Sequence, residues 1–242
     1  MKLQNKTIII TGASSGLGEC LAYKAAEEGA FVGLVARSEE KLKRIKQTIE
    51  NKKGKAEIFI CDIRDFSQVK NTTKKIFSVF NNIDIVVNNA GIWTDNDLEK
   101  ENPERRKTAF ETNALGNIQF TYELLPHFQQ KNKGFIFNVI STSGISDSPA
   151  GDNILWMTYG ATKWAMRGFT KDLRNLLKNT KIKVTGFFPG GFESDLYESA
   201  KRKNPHNQPW MMKTEDIADI IVFALTRPDD VLMERIVVTK IM

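Results

Sequence analysis

The stretch TGASSGLG, from Thr11 to Gly18, directly follows the apolar run Thr7 to Ile10 and leads into a segment of helical character that ends at Glu28. This order predicts a strand, a glycine-rich turn and a helix. Glycine lets the backbone bend sharply and approach a ligand closely, and the first N–H groups of a helix favour an anion. The stretch therefore predicts the pyrophosphate site of a dinucleotide; a Gly/Ser-rich turn that binds no ligand is the alternative.

Apolar runs of strand length alternate with longer amphipathic segments in the rest of the chain. The predicted strands span residues 7–10, 31–35, 57–61, 83–87, 135–140, 183–188 and 235–239. The predicted helices span residues 16–28, 39–52, 66–80, 103–131, 156–179 and 214–226. Such alternation favours right-handed βαβ crossovers. We therefore predict an α/β fold over residues 1–242, a single-domain doubly wound Rossmann-type parallel sheet with helices on both faces.

The composition limits the classes of protein and partner. The 242 residues are 41% hydrophobic, enough to bury one sizeable core. The net charge of +6 arises largely from lysines in segments such as 41–55 and 70–75, which have the pattern of solvated helix faces. Nucleic acid is therefore not an expected partner; attraction of a phosphorylated cofactor or an acidic partner is the alternative.

The sequence also lacks the patterns of membrane segments and of metal sites. No window is apolar over the length that a bilayer needs, and no signal-peptide pattern is present, so we expect a cytoplasmic protein without a membrane partner. The two cysteines, Cys20 and Cys61, lie far apart in the sequence, and only two histidines are present. These residues predict no metal site and indicate buried packing for the cysteines.

Small and polar residues follow the predicted strands. In doubly wound sheets ligands bind beyond the carboxyl ends of the strands, so these residues are candidates for ligand binding. The segments are Ala36-Arg37-Ser38, Asp62-Ile63, Asn88-Asn89-Ala90-Gly91, Ser141-Thr142-Ser143-Gly144 and Pro189-Gly190-Gly191.

Tyr159 and Lys163 stand four residues apart in the sequence YGATK, within a predicted helix. Residues at this spacing lie on one helix face, so the Lys163 ammonium can lie near the Tyr159 phenol. Bringing the pKa of a phenol from near 10 to neutrality requires roughly 4 kcal/mol of preferential stabilisation of the phenolate, which a close cation helps to supply. The pair is a candidate for acid–base catalysis, although Tyr-x-x-x-Lys alone is a common accident.

Taken in order, over nearly the whole chain, these motifs resemble those of the short-chain dehydrogenase/reductase family. TGASSGLG is similar to the family's cofactor motif and NNAG, residues 88–91, to its strand-four motif; Asn113 within ETNALG is similar to its helix asparagine, and YGATK to its catalytic pair. The resemblance implies an oxidoreductase that transfers a hydride between a nicotinamide and the carbonyl or secondary alcohol of a small molecule. It also implies a homodimer or homotetramer paired through the helices around 103–131 and 156–179.

The resemblance assigns catalytic roles. Ser141 would donate a hydrogen bond to the substrate oxygen, with Ser143 as the second choice, and Tyr159 would deliver the proton. Lys163 would hold the ribose hydroxyls and lower the pKa of the tyrosine. Asn113 would anchor a water that connects Lys163 to solvent; satisfying backbone groups within a helix is the alternative. The long interval between Ser141 and Tyr159 departs from the family pattern and indicates a loop insertion.

The end of the second strand predicts the cofactor. A site for a 2′-hydroxyl would place Asp or Glu there, whereas this chain has Ala36 and then Arg37, a cation suited to a 2′-phosphate. Ser38 adds a hydroxyl and a predicted helix cap, so NADP(H) is expected; an ordinary surface arginine is the alternative. Ser194 stands where the family has a threonine for the nicotinamide carboxamide. The predicted cofactor-binding residues are Gly12, Ser14, Ser15, Gly16, Leu17, Gly18, Arg37, Ser38, Asp62, Ile63, Asn89, Ala90, Gly91, Tyr159, Lys163, Pro189, Gly190 and Ser194.

Apolar and aromatic residues near the strand ends indicate an apolar or aromatic ketone, aldehyde or alcohol as substrate, although each is equally consistent with a core or subunit contact. The ending ERIVVTKIM lacks the D-G-G tail of many reductases of acyl-carrier-bound ketones and resembles members that act on small hydroxy acids or assorted carbonyls. A 3-ketoacyl-carrier reductase and a non-catalytic NADP(H)-binding sensor are the alternatives; such sensors typically lose a catalytic residue. The predicted substrate residues are Trp93, Ile145, Trp156, Phe192 and Trp210.

The polar stretch Glu193 to Lys213 follows the adjacent glycines Gly190 and Gly191. Adjacent glycines permit hinge-like backbone angles, and the stretch mixes charged residues with prolines and Trp210. It is predicted to be a mobile lid that orders when cofactor and substrate bind; a short helix fixed in a subunit contact is the alternative.

Overall fold

The predicted strands assemble into one parallel sheet. The computed structural model describes residues 1–94, 102–145, 157–196 and 208–241, and within these ranges it contains seven strands. They are β1 (Thr7–Thr11), β2 (Phe31–Ala36), β3 (Lys55–Ile60), β4 (Ile85–Asn88), β5 (Lys133–Val139), β6 (Lys181–Pro189) and β7 (Arg235–Val238). They pair in parallel in the order β3-β2-β1-β4-β5-β6-β7. The predicted α/β class and doubly wound parallel sheet are confirmed.

Helices cover both faces of this sheet. They are α1 (Gly16–Glu27), α2 (Glu39–Asn51), α3 (Phe66–Val79), α4 (Pro103–Phe110), α5 (Asn117–Lys131), α6 (Met157–Leu176) and α7 (Thr214–Leu225). Short polar side chains cap the N-termini of some of these helices. Before α3, the Asp65 carboxylate accepts hydrogen bonds from the backbone N–H groups of Ser67 and Gln68. Asn102 caps α4 in the same way, directly before Pro103.

The helix predicted over residues 103–131 is interrupted. A π-helix (Glu111–Gly116) joins α4 to α5. Asn117 Nδ2 donates to the carbonyl oxygen of Thr112 at 3.1 Å and to that of Asn113 at 3.4 Å. These side-chain hydrogen bonds supplement the backbone hydrogen bonds of the π-helix. Hydrophobic periodicity cannot register such a local widening, which often occurs at functional sites.

Successive residues of the central strands point to opposite faces and build two cores. Ile8, Ile10, Val32 and Leu34 belong to the core shared with α1, α2 and α7. Ile9, Val35, Val86 and Ile136 belong to the core shared with α3, α5 and α6. The central strands β1, β2 and β4 are therefore apolar over most of their length, as expected for a parallel sheet buried on both sides.

The sheet topology determines where a ligand can bind. Strands β2 and β3 extend to one side of β1, and strands β4 to β7 extend to the other. The carboxyl ends of β1 and β4 therefore meet at the point where the strand order reverses, which is the usual ligand site of such sheets. In the described part of the chain, none of the helices is long and apolar enough to cross a membrane. Those same residues contain no group of His, Cys, Asp or Glu placed to hold a metal ion.

Candidate active site

The turn between β1 and α1 depends on close backbone contacts. Gly12 has a φ of +66°, and a Cβ atom there would lie 2.7 Å from the Cα atom of Ala90. A Cβ atom at Gly18 would lie 2.2 Å from the carbonyl oxygen of Gly12. Side chains are therefore excluded at both glycines. The Ser15 side chain makes no cap hydrogen bond, so it does not satisfy the first N–H groups of α1, which favour an anion.

Hydrogen bonds lock the ends of β1 and β4 together. The Thr11 hydroxyl accepts from the backbone N–H groups of Asn89 at 3.0 Å and Ala90 at 3.1 Å, and it donates to Asn117 Oδ1 at 3.1 Å. Asn89 Nδ2 donates to the carbonyl oxygens of Thr11 and Gly12 at 3.0 and 3.2 Å. The β1 turn and the NNAG segment consequently form one rigid unit at the switch point.

A cavity of about 1120 Å³ runs along the carboxyl edge of the sheet beside this unit. Nearly all the predicted cofactor-binding residues line it. They are Gly12, Ser14, Ser15, Gly16, Leu17, Arg37, Ser38, Asp62, Ile63, Asn89, Ala90, Gly91, Tyr159, Lys163, Pro189, Gly190 and Ser194. Gly18 is not among the lining residues, because it packs behind the turn against Gly12.

Tyr159 and Lys163 lie at the cavity on the same face of α6. Both side chains are buried, and the Lys163 Nζ atom lies 5.4 Å from the centre of the Tyr159 ring. Burial lowers the pKa of Lys163 to about 8, since the charged form loses its hydration. The Trp93 ring packs on the Tyr159 ring, with 4.6 Å between the ring centres. The predicted pair therefore shares one enclosed corner of the cavity.

The structure separates the two candidate serines. Ser141 lines the cavity, and its hydroxyl accepts from the backbone N–H of Ser143 at 3.2 Å, at the start of a 3₁₀ turn (Thr142–Gly144). Ser143 is buried outside the cavity lining, and among the described residues its hydroxyl has no hydrogen-bond partner. Of the two serines, Ser141 is therefore the one that can contact a ligand.

Asn113 lies in the π-helix, behind the cavity wall. Its Oδ1 atom accepts from the Ile92 N–H at 2.7 Å, and its Nδ2 group donates to the Ile92 carbonyl at 3.0 Å and to the Thr162 hydroxyl at 3.1 Å. The Thr162 hydroxyl in turn donates to the Tyr159 carbonyl at 2.7 Å. Asn113 thus satisfies backbone groups of the loop after β4 and connects that loop to α6.

Positive side chains lie at the end of the cavity next to β2. Arg37 and Lys41 line this end, and Ser38 caps α2. Asp62 also lines it and forms an ion pair with Arg64, with 2.5 Å between Oδ2 and Nη2. The hydrogen bonds from Arg64 hold the pKa of Asp62 below its ordinary value, so this carboxylate stays charged.

Aromatic residues line the opposite end of the cavity. Trp93, Phe192 and Trp210 line it as predicted. Ile145 is not among the lining residues: its side chain packs in a small core with Ile140, Met166 and Phe188, so its contact with a substrate stays a prediction. Trp156 lies outside the described residues.

The structure describes the two ends of the predicted lid, residues 193–196 and 208–213. The Met212 N–H donates to the Gly191 carbonyl and the Glu193 N–H donates to the Met212 carbonyl, each at 3.0 Å. Trp210 packs on Gly191, where a Cβ atom would lie 2.3 Å from the indole Cζ3 atom. Residues 197–207 lie outside the described part of the chain, so the prediction of a mobile lid stays a prediction.

Sequence reasoning missed several residues that line the cavity. Lys41 stands one turn into α2, and Thr112 belongs to the π-helix. Thr239 and Lys240 follow β7. The position of this pair just after a strand was a usable signal, since residues after the other strands were already candidates.

The chain is similar to known proteins over most of its length. A sequence profile of the family described as short chain dehydrogenase matches residues 6–205. An uncharacterized oxidoreductase from Staphylococcus epidermidis is 31% identical, with 99% of each chain covered. An NADP-dependent 3-hydroxy acid dehydrogenase from Schizosaccharomyces pombe is 32% identical over 96% of this chain and 91% of that relative. The crystal structure of a 3-ketoacyl-(acyl-carrier-protein) reductase from Brucella melitensis, complexed with NADH, has a TM-score of 0.83 and 30% identity, with 98% of each chain covered.

Proposed function

The chain belongs to the short-chain dehydrogenase family and is an NAD(P)-dependent oxidoreductase, and from this premise we propose that it uses NADP(H) to interconvert a carbonyl group and a secondary alcohol. The substrate is a small molecule, either hydroxy-acid-like or apolar. One observation carries the proposal: Ser141, Tyr159 and Lys163 line the same cavity as the glycine-rich turn.

The lining of the cavity suits a dinucleotide phosphate. At Gly12 a side chain would collide with Ala90, so the bare turn can hold a pyrophosphate against the start of α1. Arg37 and Lys41 supply positive charge at the β2 end, where Ala36 offers no carboxylate to a 2′-hydroxyl. The fission-yeast relative is NADP-dependent, whereas the Brucella reductase was solved with NADH. The preference for NADP(H) therefore depends on Arg37 and Lys41.

Each proposed catalytic group has its own role in a carbonyl reduction. When bound beside these residues, a nicotinamide would supply the hydride. Tyr159 delivers its phenolic proton to the substrate oxygen, and Ser141 donates a hydrogen bond to the same oxygen as negative charge develops there. Lys163, one turn along α6, binds the ribose hydroxyls and stabilises the phenolate that remains. The enclosed position of Tyr159 against Trp93 strengthens these electrostatic effects.

Proton supply involves Asn113 and Lys163. Because its pKa is lowered to about 8, Lys163 is mostly protonated at neutral pH and still releases its proton readily. Asn113 anchors a water that connects Lys163 to solvent. Its side chain is occupied by Ile92 and Thr162, so it also positions the loop after β4 against α6.

A second candidate function is reduction of a 3-ketoacyl group on a carrier protein. The similarity to the Brucella reductase favours it. The chain ends in ERIVVTKIM without the D-G-G tail found in many such reductases, and the hydroxy acid specificity of the fission-yeast relative favours the first candidate.

Several properties of the whole protein belong to the same proposal. Residues 1–242 form one domain, residues 193–213 close over the substrate, and the protein works in the cytoplasm. It forms a homodimer or homotetramer through α4, α5 and α6. Exposed apolar side chains on these helices, Phe110, Tyr122 and Trp164, support this pairing.

NADPH consumption with a panel of carbonyl compounds tests the proposed function, with NADPH binding measured in parallel. We expect turnover of at least one small ketone or keto acid. Tight binding of NADPH without turnover of any compound would instead indicate a sensor.

A further inference from the structure

The end of β7 adds a charged residue to the substrate end of the cavity. Thr239 and Lys240 line the cavity, as does Trp210. The Lys240 ammonium donates to the Met211 carbonyl oxygen at 2.7 Å, which places it beside the backbone that carries Trp210. An ammonium group has three N–H donors, and this hydrogen bond uses one of them.

The sheet sets the distance between Lys240 and the reacting centre. Strand β7 is the second strand from β5, and Ser141 stands just beyond the end of β5. Neighbouring strands lie about 4.8 Å apart, so the two strand ends are separated by about 10 Å. Lys240 has a flexible four-carbon stem. Its ammonium can therefore reach a group that lies a few bonds from a carbonyl held by Ser141 and Tyr159.

The other charges of the cavity have assignments elsewhere. Among the described lining residues, the positive side chains are those of Arg37, Lys41, Lys163 and Lys240. Arg37 and Lys41 lie at the β2 end, five strand positions from β7, and Lys163 is buried beside Tyr159. Lys240 is thus the remaining cation of this set that can serve the substrate.

Among the described residues, Lys240 forms no ion pair with a carboxylate of the cavity lining. Asp62 and Asp195 are the carboxylates among the described lining residues. Asp62 is paired with Arg64 after β3. The backbone of Asp195 lies against Gly16 at the β1 turn, where a Cβ atom would be 3.6 Å from the Asp195 nitrogen. The β7 end of the cavity therefore favours an anionic ligand group.

We propose that Lys240 binds a carboxylate of the substrate and thereby selects short keto acids and hydroxy acids whose carboxylate lies a few bonds from the reacting carbon. The inference rests on the proposed oxidoreductase function and narrows its substrate class. Phe192 and Trp210 add apolar surface at this end, and an ammonium and a carboxylate form a charge-assisted hydrogen bond. Lys240 acts here as a specificity residue and takes no part in proton transfer.

A matched pair of substrates tests this role. 3-Oxobutanoate and its methyl ester contain the same ketone and differ in charge. With NADPH, Lys240→Met should lower kcat/KM for the acid roughly tenfold, mainly through KM, and change that for the ester less than about twofold. Lys240→Arg should retain most of the activity on the acid. Lys181→Met, at the opposite end of β6 and exposed, is the control and should change neither value.

A binding measurement provides a second readout. Butanoate carries the carboxylate without a ketone, and its dissociation constant can be followed through the fluorescence of Trp93 and Trp210, which line the cavity. We expect the constant to rise roughly tenfold in Lys240→Met and not in Lys181→Met.

The possible outcomes separate the inference from the proposed function. Equal losses for the acid and the ester in Lys240→Met would make Lys240 a support for Met211 and overturn the inference. Turnover of the ester or other ketones without a preference for the acid would also overturn it and leave the proposed function intact. Tight NADPH binding with no turnover of any carbonyl compound would contradict the proposed function itself.

Discussion

Tyr159 owes its proposed reactivity to two neighbours of its ring. Trp93 covers the ring with an aromatic surface, and the Lys163 ammonium lies 5.4 Å from its centre. Excluding water from the ring lowers the local dielectric constant, so the charge of Lys163 acts more strongly on the phenol. The chemistry assigned to Tyr159 can therefore be tested by removing a single oxygen atom.

Tyr159→Phe removes the proposed proton donor and keeps the ring. We expect turnover to fall by roughly 10²- to 10⁴-fold, as is typical for loss of a general acid, while NADPH binding stays nearly unchanged. Tyr122→Phe, at an exposed position on α5, is the control and should retain full turnover. Retention of more than about a tenth of wild-type turnover, under conditions where chemistry is rate-limiting, would refute the assignment.

The proposed preference for NADP(H) can be tested at Ala36, the last residue of β2, and at Arg37, which follows it. Ala36→Asp combined with Arg37→Ala provides a carboxylate for a 2′-hydroxyl and removes a cation from a 2′-phosphate, so the ratio of kcat/KM for NADPH to that for NADH should fall at least tenfold. Lys43→Ala removes an exposed cation from the same helix, α2, outside the cavity lining, and should leave the ratio unchanged. Equal use of both cofactors by the wild-type protein would contradict the predicted preference.

At the scale of elements, a buried hydrogen-bond chain couples the π-helix to α6. Asn113 bonds to both backbone groups of Ile92, and its remaining N–H donates to Thr162, which donates to the Tyr159 carbonyl. The loop after β4 and the start of α6 are thereby held in one arrangement. Asn113 lies in the π-helix that interrupts the helix predicted over residues 103–131.

Thr162→Val tests that coupling. Valine has the shape of threonine but cannot accept from Asn113, so a buried donor loses its partner, which costs about 1 to 3 kcal/mol. We expect urea denaturation to show a loss of unfolding free energy in this range, and Thr162→Ser to keep most of the stability. Thr48→Val is the control: Thr48 is half-buried on α2, and its hydroxyl donates to the Arg44 carbonyl in an exposed hydrogen bond. A Thr162→Val protein as stable as wild type would show that the chain contributes no net stability.

The second element to test is the segment of residues 193–213. Its base is held by the pairing of Gly191 and Glu193 with Met212 and by Lys240 on Met211. If the segment closes over the substrate, its amides should exchange quickly in the free protein and slow markedly when NADP(H) and a ligand are added. Hydrogen exchange with mass spectrometry measures this, and α3, remote from the segment in the sequence, serves as the internal control. Unchanged protection across the segment would leave it as a fixed contact.

At the scale of the whole molecule, the sequence alone predicted the parts of the fold and the candidate site whose geometry depends on local sequence patterns. The glycine turn and the residues after each strand predicted most of the cavity lining, because parallel strands bring their carboxyl ends to one edge. The sequence could not show that Ile145 packs in a small core, because the direction of a side chain after a 3₁₀ turn depends on tertiary packing. Lys240 follows β7, which was a usable signal, but it lies about 80 positions along the chain from Tyr159, and the strand order is needed to place both residues in the same cavity.

The free energy of unfolding of the whole protein should depend on pH because Lys163 is buried. Burial lowers its pKa from 10.5 to about 8, a penalty on the charged form of about 3 kcal/mol. Between these two pH values the unfolded chain binds more protons than the folded one, so the lysine's unfavourable contribution is present below pH 8 and disappears as the pH rises to 10.5. Lys163→Met, which has no charge to bury, should therefore be more stable than wild type at pH 7, by up to about 3 kcal/mol.

That advantage should shrink as the pH approaches 10.5, while turnover is lost at every pH. Urea denaturation of the cofactor-free proteins at pH 7, 8, 9 and 10 measures the difference, and groups that titrate in both proteins cancel in it. Lys181→Met, at an exposed position, is the control for the loss of a lysine. A constant difference across this range would mean that Lys163 remains charged in the folded protein. In the expected case, the stability lost to the buried cation is the cost of keeping it beside Tyr159.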